Sequence, residues 1–173
     1  MSAPILETER LILRPHRVED FDDVAAMWAD PKVVEFITGK PSTASDSWSR
    51  LLRYIGHWQA LGFGYWAVTG KETGAFLGEV GFADFKRDMT PSLDGVPESG
   101  WVIATAAHGR GLATEAVARI HQWADAERDW SKTACIFDPD HTASHNVARK
   151  IGYEVSGKAD FGGLPTLVMH RVR

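Results

Sequence analysis

The chain has one cysteine, Cys135, in 173 residues, so it supports neither an intramolecular disulfide framework nor a cysteine-rich metal site. Cys135 lies in K-T-A-C-I-F, which reads as a buried strand, and core packing is its expected role. No apolar stretch approaches the length needed to cross a bilayer, and the N-terminal segment carries Glu7 and Glu9 rather than an apolar signal region. A cytoplasmic location is expected by default. Positive charge is also short: 19 Lys and Arg stand against 23 Asp and Glu, and a net charge of −4 argues against a broad nucleic-acid-binding face. Internal repeats and low-complexity tracts are missing too. The remaining composition, 44% hydrophobic and 24% charged, is that of a soluble globule, and residues 1–173 are expected to form one domain with its own core.

The most informative run is A-H-G-R-G-L-A-T-E-A, residues 107–116, a glycine-punctuated turn that opens into a helix. Gly109 and Gly111 can take positive φ, which lets successive backbone N–H groups converge on one point. A helix starting near Leu112 adds the unpaired N–H groups of its first turn and the positive end of its dipole. A phosphate or pyrophosphate suits such a seat. Residues 99–104, S-G-W-V-I-A, precede the turn as a strand, and Ala113, Ala116, Val117, Ile120 and Ala124 follow it at helical spacing. A P-loop needs Lys followed by Ser or Thr after its last glycine, but Leu112 and Ala113 stand there. A dinucleotide fingerprint needs a third glycine where Thr114 stands.

Elsewhere, alternation predicts a first strand over residues 10–15, and apolar spacing predicts a short helix from Phe21 that is interrupted near Pro31. A second helix over residues 48–58 follows a T-A-S-D cap. Strands over 65–69 and 75–82 flank a K-E-T-G turn as a hairpin, and 86–97 reads as a long loop. A strand over 133–137, a helix over 143–150 and closing strands over 153–157 and 167–172 complete an α/β mixed sheet.

Taken together these motifs resemble the GNAT superfamily of acyl-coenzyme A-dependent N-acetyltransferases, whose phosphate turn has the pattern Gln/Arg-x-x-Gly-x-Gly/Ala. Gly111 and Ala113 match it, while His108 replaces the usual Gln or Arg. L-E-T-E-R-L-I-L-R-P at 6–15, G-L-A-T-E-A at 111–116 and Lys150-Ile151-Gly152-Tyr153 further resemble the branch of ribosomal-protein N-terminal (alanine/serine) acetyltransferases. The resemblance covers nearly the whole chain. It implies a mostly antiparallel sheet of about seven strands with flanking helices, in which a splayed strand pair admits acyl-CoA.

The chemistry that follows is transfer of an acetyl group from acetyl-CoA to a primary amine, by direct attack in a ternary complex. The backbone of His108, Gly109, Arg110, Gly111, Leu112, Ala113 and Thr114 is expected to hold the pyrophosphate, with the Arg110 side chain contributing. By resemblance, Val102, Ile103 and Ala104 supply backbone hydrogen bonds to the pantetheine arm. His141 stands where relatives carry an Asn that touches the cofactor, and Asn146 is the other residue expected in that role. Glu98 is the expected base, since the family often places an acidic residue at the start of this strand. Glu79, flanked by apolar residues in L-G-E-V-G-F, is its rival. Glu115 reads as a residue favoured by the helix dipole. The family's tyrosine acid is missing, with Ala148 at its position, and Ser144 is the expected donor to the departing thiolate. His141 and His145 lie four apart but have no third ligand nearby, so no metal is expected.

The expected partners are acetyl-CoA and an amine acceptor, either a peptide N-terminus or a small molecule, and a homodimer is an open assembly. Neither nucleic acid nor membrane is expected. Net acidity mildly favours a cationic acceptor, set by residues 38–48 and the loop at 86–97. The alternative function is a non-catalytic acyl-CoA sensor.

Overall fold

The structure, a computed structural model, describes residues 3–173. Its elements run β1 (Leu6–Glu7), β2 (Leu11–Pro15), α1 (Phe21–Ala29), α2 (Pro31–Val34), α3 (Ala44–Leu61), β3 (Tyr65–Gly70), β4 (Phe76–Ala83), β5 (Met89–Thr90), β6 (Glu98–Ile103), α4 (Leu112–Glu127), β7 (Lys132–Phe137), α5 (Thr142–Ile151), β8 (Glu154–Phe161) and β9 (Leu164–Val172).

Local chemistry sets the boundaries. Pro31 starts α2 at a position where its missing N–H costs no helical hydrogen bond. Thr43 caps α3 by accepting from the Asp46 N–H, while the Asp46 carboxylate accepts from the Thr43 N–H, a reciprocal capping box. Gly62 ends the same helix at φ 72°, and Gly152 ends α5 at φ 96°, conformations that side chains with a Cβ rarely adopt.

The strands form one sheet in the order β1-β2-β3-β4-β6-β7-β9-β8-β5. Nine strands replace the seven expected. The additional pair, β1 and β5, are two-residue strands, β1 pairing with β2 and β5 with β8. Met89–Thr90 therefore converts part of the anticipated 86–97 loop into sheet edge. All neighbouring strands run antiparallel except β6 and β7.

Helices cover both faces, and adjacent β6 residues show the division. Ile103 joins Val80 and Phe82 under Leu112, Ala116, Val117 and Ile120 of α4. Val102 joins Val24, Met27 and Trp28 of α1 and Leu51 of α3. Successive strand residues must point to opposite faces, so both cores depend on one register. A third cluster, Cys135, Ala148, Tyr153 and Met169, ties α5 and the residue just before β8 to β7 and β9. Among the described residues no helix is long and apolar enough to cross a membrane.

Candidate active site

The glycine turn takes the form its sequence requires. Gly109 and Gly111 have φ of 72° and 74°, and α4 begins directly at Leu112. The first N–H groups of α4 thus face the turn without helical acceptors. Arg10 props the turn from the far end of the chain: its Nη1 donates to the Arg110 carbonyl at 2.9 Å, and its Nε donates to Glu115 at 2.6 Å. The Thr8 hydroxyl donates to the same carboxylate. Burial opposes ionisation of Glu115, but these bonds and the Arg10 charge outweigh it and hold the carboxyl below its usual range. Glu115, in the first turn of α4, is therefore a brace to the β1–β2 connection.

Beyond the turn lies a gap between two strands. β6 and β7 share a parallel register at Glu98 and Ala134, where the Ala134 N–H donates to the Pro97 carbonyl. Past that point no further register joins them, while β6 stays paired to β4 along its length. Ala104 donates to the Leu77 carbonyl at 2.9 Å, so by strand alternation the Val102 and Ala104 backbones face β4. Of the three residues expected to serve the gap, Ile103 alone turns its backbone towards it. Trp101, not anticipated for this role, does the same by parity. The Ile103 carbonyl is engaged by His108 Nε2 at 2.7 Å, so this histidine folds back onto the strand. The Trp101 and Phe137 rings meet across the gap with centroids 5.3 Å apart.

On the α1/α3 face of the sheet sit the two acids. Glu98 is 6% exposed and held by both oxygens: Arg87 Nε donates to Oε2 at 2.7 Å and Nη2 to Oε1 at 2.8 Å. Glu79 is fully buried; Trp28 Nε1 donates to its Oε2 at 3.0 Å, and His16 Nε2 lies 3.2 Å from its Oε1. His16 Nδ1 meets a second oxygen, the Tyr65 carbonyl, at 3.3 Å. Gly81 and Gly100 lie opposite each other between the two acids, and a Cβ at either would collide with Tyr65. Tyr54 stacks on Tyr65 at 4.3 Å with parallel rings, and burial pushes both phenols up from their ordinary values.

At the start of α5, Ser144 is buried with Oγ 3.5 Å from His141 Nε2. His141 stacks on Phe36 at 5.1 Å, and burial, reinforced by His145, pulls its pKa down. Asn146 is exposed. Ala148 is fully buried, in the cluster that also takes in Trp101 and Phe137. Burial likewise pushes the Cys135 thiol up, which leaves it a core residue. Among the described residues, no group of three or more His, Cys, Asp or Glu side chains is placed to hold a metal ion.

A family model described as the acetyltransferase (GNAT) domain matches residues 10–154. The chain belongs to the GNAT acetyltransferase family. It is 25% identical over 153 residues to an uncharacterized N-acetyltransferase, p20, of Bacillus licheniformis, covering 88% of this chain and 83% of that protein. The crystal structure of an acetyltransferase from Agrobacterium tumefaciens str. C58 superposes with a TM-score of 0.85 at 26% identity, covering 100% and 96% of the two chains. RimL, a ribosomal L7/L12 alpha-N-protein acetyltransferase in complex with coenzyme A, shares the fold with a TM-score of 0.79 at 13% identity, covering 98% of each chain.

In this GNAT chain the residues present suit an acyl-CoA. Gly109 leaves open space where a Cβ would be, the α4 N-terminus offers unpaired donors, and the gap leaves strand backbone unpaired past Glu98. Sequence reasoning missed the surroundings of the acids: His16, Trp28, Arg87 and the Tyr54–Tyr65 stack. Arg87 carried no signal because its loop has no periodicity. The glycines at 81 and 100 were a readable hint of close approach, but their common neighbour was not.

Proposed function

We propose that the chain is an N-acetyltransferase that moves an acetyl group from acetyl-CoA to a primary amine by direct attack in a ternary complex. The observation that carries this reading is the β6/β7 gap with a glycine turn and helix N-terminus at its mouth. Bound acetyl-CoA supplies a thioester that is already activated. The N–H groups from Gly109 to Thr114 would take the pyrophosphate, and the Trp101 and Ile103 backbones would take the arm. RimL, which shares this fold, holds coenzyme A.

Glu98 takes the proton that frees the amine nitrogen. It borders a recess through Arg87, whereas Glu79 is sealed behind Trp28 and His16. The Arg87 fork fixes the carboxylate while leaving each oxygen a further lone pair. As the N–C bond forms, the C–S bond breaks and the sulfur leaves with its electron pair. Ser144 donates to that sulfur, with His141 behind it.

Thiol release from acetyl-CoA with a panel of amines and peptides tests the reading. Acceptor-dependent release supports it. Tight acetyl-CoA binding without release across the whole panel overturns it in favour of a non-catalytic sensor.

A further inference from the structure

Glu98 shares its surroundings with unbalanced positive charge. A recess of about 200 Å³ is lined by Arg53, Phe85, Arg87 and Phe161. The Arg87 guanidinium lies 4.7 Å from the Phe85 ring centroid and 5.0 Å from that of Phe161, and Arg53 lies 4.9 Å from Phe85. Arg87 is neutralised by Glu98. Arg53 forms no ion pair among the described residues, and neither does Arg50, three residues earlier on α3. Positions three apart on a helix are neighbours, so the two guanidiniums share one ridge beside Tyr54.

Arg50 is the stronger sign. Its guanidinium lies 3.6 Å over the Trp28 ring, yet its Nη1 is buried and donates to no acceptor among the described residues. A buried donor left unpaired is costly, and a buried cationic one more so. Burial lowers the Arg50 pKa, and the opposing charge of the Glu79 carboxylate and the like charge of Arg53 act on it as smaller influences of opposite sign. An oxyanion at this ridge would relieve both costs. The chain's net charge of −4 does not oppose it, because charges beyond roughly 8 Å are screened at physiological salt.

We propose that the acceptor amine carries an oxyanion, a carboxylate or a phosphate, which pairs with Arg53 and Arg50 while an apolar group lies against Phe85 and Phe161. This rests on the acetyltransferase reading and reverses the expectation of a cationic acceptor. An engineered cavity of about 150 Å³ holds one benzene, so the recess takes one ring and a few further atoms. The same charges disfavour polyamines and cationic amino sugars.

Calorimetric binding of three acetylated products tests this without requiring turnover: N-acetylphenethylamine, N-acetylphenylalanine and O-phospho-N-acetyltyramine, each with coenzyme A present. At least one anionic product binds about tenfold tighter than the neutral one, and which of them does so identifies the anion. Arg53→Gln abolishes the difference and Arg53→Lys restores part of it; Arg50→Gln, where it folds, acts in the same direction. Equal binding of all three, or a difference that survives Arg53→Gln, overturns the proposal. Thiol release from phenylalanine and phenethylamine is measured in parallel. Anion-dependent binding without any release sinks catalysis and leaves the oxyanion seat standing. Equal release from both amines, with equal product binding, does the reverse.

Discussion

The Tyr65 hydroxyl lies against the Cα of Gly100, in the space a Cβ would need. The close contact spans two strands, β3 and β6, and lays the phenol flat between the positions of Glu79 and Glu98. Gly100→Ala is expected to cost about 1 to 3 kcal/mol, typical of overpacking. Tyr65→Phe removes the colliding oxygen, so the double variant should recover most of that loss in urea denaturation. Additive losses in the double-mutant cycle would show that the contact is not what excludes a side chain at position 100.

The two acids should respond differently to loss of charge. Glu98→Gln is expected to lower kcat of the folded enzyme by about 10² to 10³, typical of a lost general base, and to lower the melting temperature as well, because the amide nitrogen then faces the Arg87 donors. Glu79→Gln places an amide nitrogen among the donors of Trp28 and His16, so its main effect should be on stability, on the order of 1 to 3 kcal/mol. Steady-state kinetics and thermal melts on both variants check the assignment; an unchanged kcat in Glu98→Gln would remove Glu98 as the base.

Arg10 touches the turn only through the Arg110 carbonyl and Glu115. Arg10→Ala should therefore raise KM for acetyl-CoA several-fold, since an anion seat made of backbone depends on the turn keeping its shape. The acceptor KM should stay within about twofold. Equal weakening of both substrates would point to general loosening of the fold.

His121 makes the protein acid-sensitive. Its Nδ1 donates to the Val117 carbonyl at 2.8 Å, its Nε2 accepts from Tyr153 at 2.9 Å, and burial lowers its pKa to about 4. The free imidazole titrates near 6.5. Above that value neither state binds a proton here. Between it and about 4 the unfolded chain binds one that the folded chain refuses, so stability falls as pH falls. The loss accumulates to on the order of 3 kcal/mol by the acid end. In His121→Gln, unfolding free energy measured across this range should fall by that much less; parallel curves for parent and variant would contradict the assignment.

How much the sequence disclosed depended on how local the determining physics was. Gly109, Gly111 and the Thr43–Asp46 cap act within four residues, and their consequences were readable. The long helices and the hairpin from β3 to β4 followed from periodicity. The Val102 and Ala104 backbones were misplaced because the edge of β6 that meets β4 depends on a register set by distant residues. β8 and β9 extend beyond the expected strands, since Gly162 and Gly163 supply the positive φ of a tight turn between them. The recess beside Glu98 was least legible, as its walls come from α3, the segment after β4, and β8.

One parallel contact, between β6 and β7, stands among antiparallel neighbours. Strands running the same way cannot be joined by a tight turn, so the chain must cross over the sheet, and here α4 makes that crossing. A helix N-terminus at the mouth of the gap is thus dictated by connectivity. Reversing the direction of β7 alone would remove both the cleft and its electropositive end, even with every side chain of the turn retained.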